Sequence, residues 1–134
     1  MKTTFLILTA LLLSFSNINA QSKKQSSEVL FFKAKLCGCK AKSCNALEND
    51  IKTIIEKNIN DKKITFRTIS IADEANKELV EKYNAKSQTT ILVTKKKKKE
   101  EFTDISDLVK EFSIKKNKEE FEKALKEKIA SAIK

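Results

Sequence analysis

The sequence has no proline, no histidine and no tryptophan, and its one glycine is Gly38. Without histidine there is no Ser-His or Cys-His nucleophile system and no histidine general base. A zinc site of mixed ligands would have to recruit carboxylates. A single glycine excludes glycine-rich phosphate loops and dinucleotide fingerprints, and nothing else in the chain suggests a cofactor. Without proline, no loop can be fixed by a cis-proline turn.

Three cysteines are present, and all of them fall in "LCGCKAKSC", Leu36 to Cys44, together with the glycine. Their spacing, C-x-C-x4-C, is neither the C-x-x-C of a dithiol oxidoreductase nor a standard zinc pattern. The first twenty residues carry one cation, Lys2, an apolar run from Phe5 to Leu13 and a polar approach to Ala20. This reads as a secretory signal peptide over 1–20, too short in its apolar run for a membrane span. The expected location is therefore outside the cytoplasm, periplasmic or secreted, with no stable membrane insertion after cleavage. Disulfides persist in such compartments. An odd cysteine count there leaves one thiol free, bridging chains or held by a metal.

The formal net charge is +10. Its lysines are spread along the whole length and its phenylalanines fall in core-type runs rather than among basic residues, so the charge reads as a solvated surface and no nucleic-acid partner is expected.

After a polar, patternless leader over 21–27, expected to be disordered, a single domain spans 28–134. Strands are expected at 28–35, 63–71, 89–94 and 100–105 from their β-branched and aromatic content. Cys44, Leu47, Ile51, Ile54 and Ile55 share one face of a helix over 44–59. Asp73 opens a second helical segment that carries Leu79, Val80 and Tyr83. Lys95 to Lys99 read as a charged hairpin turn that keeps a sheet edge soluble. Asn117 is placed to cap a last helix over 118–133 with Phe121, Leu125, Ile129 and Ile133 on one face. The order β-α-β-α-β-β-α describes a three-layer α/β sandwich around a mixed four-stranded sheet, and it is the order of the thioredoxin fold.

Local matches fall where that fold would have them: a hydrophobic strand entering a cysteine loop and helix, and "EKYNAKSQTTILV", Glu81 to Val93, leading into a third core strand. In "KAKSCNALE", "ITFRTISIADEANKELVEKY" and "FEKALKEKI" the chain resembles a group of small exported thioredoxin-like proteins known as ArsF-like, or nitrophenyl compound nitroreductase subunit, proteins. The resemblance covers nearly all of residues 28 to 133. It implies that Cys44 takes the second, helix-borne position of the C-x-x-C, that Ala41 stands in place of the first cysteine, and that Thr89 stands where the cis-proline would face the pair. It also favours a helix that starts near Cys44.

Two helix starts are open, and they decide the chemistry. From a start near Cys44, the loop is free to fold back and Cys39, or second Cys37, can pair with Cys44. From a start near Gly38, Cys39 and Cys44 lie about 140° apart around the axis and about 7.5 Å along it, beyond disulfide reach, which leaves Cys44 as a structural thiol and only a strained Cys37–Cys39 bridge to form. The expected function is thiol–disulfide exchange with a protein or small-molecule thiol or disulfide, Cys39 attacking, Cys44 resolving and Thr89 lining the site. The alternatives are soft-metal binding, Cu(I) or an arsenic-like ion, by Cys37, Cys39 and Cys44, and a non-catalytic binding module. Whether the chain is an enzyme stays open among the three.

Overall fold

The computed structural model describes residues 26–35, 38–59, 64–96 and 99–133. The signal-peptide reading of 1–20 and most of the leader, 21–25, lie outside the described residues, as does Cys37.

The first strand, β1 (Ser26–Lys33), begins inside the stretch read as leader: Ser27 pairs with Ile64 on one side and Thr94 on the other, and is buried. Val29 to Phe32 are all buried, because β1 lies inside the sheet with both faces covered. It is flanked by β2 (Ile64–Ser70), parallel to it, and β3 (Thr90–Lys96), antiparallel; β4 (Lys99–Asp104) adds to β3 by a hairpin. The order is β2-β1-β3-β4, a mixed four-stranded sheet. Lys96 pairs with Lys99, so β3 and β4 form a hairpin where the charged turn is expected, and Lys97 and Lys98 are outside the described residues.

Helices cover both faces, giving an α/β sandwich. On one face, α1 (Gly38–Thr53), its π-helical extension Ile54–Asn58, α3 (Ser106–Lys115) and α4 (Lys118–Ile133) enclose the larger core. Leu47, Ile51, Ile54 and Ile55 pack there with Val29, Phe31, Leu92, Val109, Phe112, Phe121 and Leu125. The other face holds a smaller core of Leu30, Phe32, Ile69, Ile91 and Val93 under the short α2 (Lys77–Lys82) and Tyr83. The imperfect alternation of β2 has its reason here, since Ile64 and Phe66 pack on the larger core and Ile69 on the smaller.

The caps follow the chemistry of their residues. The Asp73 carboxylate accepts from the Ala75 N–H at the turn Glu74–Asn76 that precedes α2, and Asn117 Oδ1 accepts from the Glu120 N–H at the start of α4. The sequence reading passes over α3. Its signal is Ile105, Val109 and Phe112, spaced by four and three and all buried, with Asp104 accepting from the Ser106 N–H to start the turn.

The main correction concerns α1, which starts at Gly38 and not near Cys44. Gly38 has φ +59°, the left-handed region that suits glycine, and so turns the chain from the end of β1 into the helix. Lys40, Ala41 and Lys42 are good helix formers. The apolar stripe begins at Cys44 because only there does the helix meet the sheet. The stripe marks where α1 is buried, and the first six residues project past it by about 9 Å.

Candidate functional site

The cysteine segment lies at the carboxyl ends of β1 and β2, where α1 begins. Cys39, the second residue of α1, is exposed, and its neighbours Gly38, Lys40, Lys42 and Ser43 are exposed as well. Cys44 is completely buried in the larger core. Both are free thiols. The helix start at Gly38 puts them at the separation that rules out a bond between them: five residues along one helix, about 140° around and about 7.5 Å along the axis. The pairing Cys39–Cys44 is therefore replaced by two thiols in different surroundings. For the same reason Cys39 and Cys44 do not converge on a common metal position. Among the described residues, no group of three or more cysteine, aspartate or glutamate side chains is placed to hold an ion.

The environment of Cys44 is polar on one side. Burial pushes its thiol above the ordinary value of 9.0; the Lys33 ammonium pulls it down, Glu48 pushes it up, and a hydrogen bond with the Gln88 side chain lowers it, with burial winning. One turn further along α1, Glu48 reaches back to the sheet. Lys33 Nζ donates to its Oε2 at 2.6 Å and Thr68 Oγ1 to its Oε1 at 2.7 Å. Burial works against the charged carboxylate here, yet these two hydrogen bonds and the charges of Lys33 and Lys52 hold it below the usual carboxylate range. Glu48, Lys33 and Thr68 thus tie α1, β1 and β2 together directly beneath the cysteine segment. Sequence reasoning missed them because they are 15 and 20 residues apart, with no shared motif.

Thr89 lies in the loop before β3, level with the end of β1. Its carbonyl accepts from the Phe32 N–H at 2.8 Å, and the Gln88 N–H donates to the Phe32 carbonyl at 2.7 Å. Its hydroxyl is turned to its own loop, accepting from the Lys86 N–H at 2.9 Å. Gln88, at φ +69°, supplies the tight turn that makes this pairing possible. The structure therefore brings Thr89 to the end of β1, while the side chain that reaches Cys44 is that of Gln88.

No protein-family model matches the sequence, and no curated protein matches it. A solved structure described as that of a malarial protein is 22% identical over 68% of this chain and 96% of its own, with a TM-score of 0.39. A likeness at that level carries no argument about fold or function.

Proposed function

We propose that the chain is a thioredoxin-like thiol–disulfide exchange protein whose working dithiol is Cys37 and Cys39. The observation that carries this reading is Cys39, exposed in the first turn of α1, which begins five positions after the last residue of β1. The helix N-terminus and the flanking Lys40 and Lys42 are the setting in which a cysteine serves as a nucleophile. The sheet order, with a parallel β1-α1-β2 unit and an antiparallel β3-β4 hairpin, supports the thioredoxin-like assignment, as does the Gln88–Thr89 turn beside the end of β1.

In the exchange, the Cys39 thiolate attacks one sulfur of a substrate disulfide. A bond forms from Cys39 to that sulfur, the substrate S–S bond breaks, and the other half leaves as thiolate and takes up a proton. Cys37 then attacks the Cys39 sulfur, closing a Cys37–Cys39 disulfide and releasing the second half. Two electrons pass from the protein dithiol to the substrate. Gly38 separates the two cysteines in the sequence and has a left-handed φ of +59°. Cys44 takes no part in these steps.

The test is reduction of a protein disulfide such as insulin by the reduced protein and by Cys37→Ser, Cys39→Ser and Cys44→Ala. Activity lost in Cys39→Ser, retained in Cys44→Ala, and stalled as a mixed disulfide on Cys39 in Cys37→Ser is the expected pattern. Activity that survives Cys39→Ser but not Cys44→Ala, or a mapped Cys39–Cys44 bridge in the oxidised protein, overturns the assignment.

A further inference from the structure

β4 is an edge strand, paired with β3 alone. The phase of its ladder follows from one bond: the Ile105 N–H donates to the Thr90 carbonyl at 2.9 Å, one step beyond the Ile91–Asp104 pair. Directly bonded pairs alternate along an antiparallel ladder. Thr103, Glu101 and Lys99 therefore turn their backbone to β3. Glu100, Phe102 and Asp104 turn N–H and C=O to the open edge, where no backbone group among the described residues meets them. The side chains alternate as well. Phe102 lies on the side of the smaller core, its ring 5.2 Å from that of Tyr83 and still 55% exposed. Glu101 and Thr103 lie on the other side, along a groove between β4 and α4 that Lys128 and Ser131 also line.

An open edge of this kind is a template for another strand, and its middle residue, Phe102, is one of the two large apolar side chains left exposed among the described residues. We propose that the β4 edge is the contact of a two-fold dimer, in which β4 pairs antiparallel with β4 of a second copy. A two-fold axis perpendicular to the sheet keeps every side chain on its own face, so the axis passes through a residue and not between two. Centred on Glu100 or Glu101, it sets like charges directly opposite, which is destabilising. Centred on Thr103, it pairs only the end of the strand. Centred on Phe102, it joins the two Phe102 backbones and sets ring beside ring, a favourable cross-strand pair. Glu101 then stands opposite Thr103, and Glu100 opposite Asp104.

Charge complementarity selects a second copy as the occupant. Glu101 and Lys128 are both exposed, and neither has an ion-pair partner among the described residues. Opposite Thr103 of the second copy, the Glu101 carboxylate enters that copy's groove on the side of its Lys128. The axis repeats the contact, so both unpaired charges of each chain are matched. Glu100 and Asp104 meet across the edge with their carboxylates already engaged: Lys82 at 2.6 Å and Lys95 at 3.8 Å hold Glu100, and the Ser106 N–H donates to Asp104 at 2.8 Å. One strand and the flank of one helix bury less than the roughly 1,200 Å² at the low end of standard interfaces. The dimer is therefore expected to dissociate at on the order of tens of micromolar. The inference is independent of the redox reading, since no cysteine takes part in the contact.

The experiment is sedimentation equilibrium of the full chain from about 5 to about 500 µM, in reductant, with Cys39→Ser alongside to set aside dimers bridged by a disulfide. A monomer–dimer equilibrium is expected in both. Phe102→Pro is expected to stay monomeric and to keep Cys44 protected from alkylation, because the N–H it removes points to the open edge and not to β3. Glu101→Lys and Lys128→Glu are each expected to weaken association roughly tenfold, since two exposed ion pairs are lost per dimer. An equimolar mixture of the two is expected to associate as tightly as the parent, because each cation then faces an anion across the axis. A pair formed within one chain would not be restored by mixing. A monomer throughout the range, a dimer indifferent to Phe102→Pro, or a mixture no tighter than its parts overturns the proposal. So does a monomeric chain that binds a labelled peptide of alternating valine and threonine, with that binding lost in Phe102→Pro, which would assign the edge to a foreign strand.

Discussion

At the scale of single residues, the two described cysteines should behave as different chemical species. Cys39 is exposed and Cys44 has no accessible surface. Iodoacetamide is expected to alkylate Cys39 within the native state and Cys44 only when the chain unfolds globally, so its labelling rate should track denaturant; mass spectrometry of timed samples reads both. Burial raises the Cys44 pKa above its unfolded value. The neutral thiol therefore contributes fully at neutral pH, and its contribution is lost as pH rises above about 9, where the unfolded chain ionises and the folded one resists. Cys44→Ala is expected to cost about 1–2 kcal/mol at pH 7 from the cavity it leaves. That cost should shrink in alkaline urea melts. Glu48 has the opposite sign. Its pKa is lowered in the fold, so its stabilisation is present above the unfolded carboxylate value and disappears as pH falls through the folded one. Glu48→Gln should destabilise by about 1–2 kcal/mol at neutral pH, and the gap to the parent should close in acid.

At the scale of elements, legibility followed burial. The strands, the buried length of α1 and the face of α4 could be read because each places its apolar residues at the period of its own geometry, as Leu47, Ile51, Ile54 and Ile55 do against the sheet. The start of α1 could not be read that way, since Gly38 to Ser43 project beyond the sheet and carry no apolar face to betray a helix. That one boundary governs the site: it separates Cys39 from Cys44. The resemblance to a C-x-x-C group pointed to the other start because it matched Cys44 to a helix-borne position without knowing how much helix preceded it. The Glu48–Lys33–Thr68 tie and Gln88 were illegible for a different reason, being contacts between elements whose partners only the sheet order brings together. The turn between α3 and α4 offers a test of the local geometry. Lys116 occupies the left-handed region at φ +57°, and its N–H donates to the Phe112 carbonyl to close α3. Lys116→Gly is expected to raise stability by about 0.5–1 kcal/mol, because glycine adopts that conformation without the strain of a Cβ. Thermal and urea unfolding should agree on the sign.

At the scale of the whole molecule, the sheet sets the cysteine end a strand length away from the β3–β4 hairpin. The carboxyl ends of β1 and β2 carry the exposed thiol, the Glu48 tie and the Gln88 turn. Ser27, near the other end of β1, pairs with Thr94 close to the hairpin, and the rise from Ser27 to Lys33 is about 20 Å. Substitutions at the hairpin should therefore leave the thiols alone: Lys96→Ala/Lys99→Ala is expected to be alkylated at Cys39 at the parent rate. Glu48→Gln acts at the other end, where it loosens α1 from β1 and β2. Its loss of about 1–2 kcal/mol should speed the alkylation of Cys44, which waits on global unfolding, by roughly five- to thirtyfold, and leave Cys39 unchanged because that thiol is exposed already. Timed alkylation read by mass spectrometry separates the two effects. Faster labelling of Cys39 together with Cys44 in Glu48→Gln would mean that the carboxylate also holds the first turns of α1 in place.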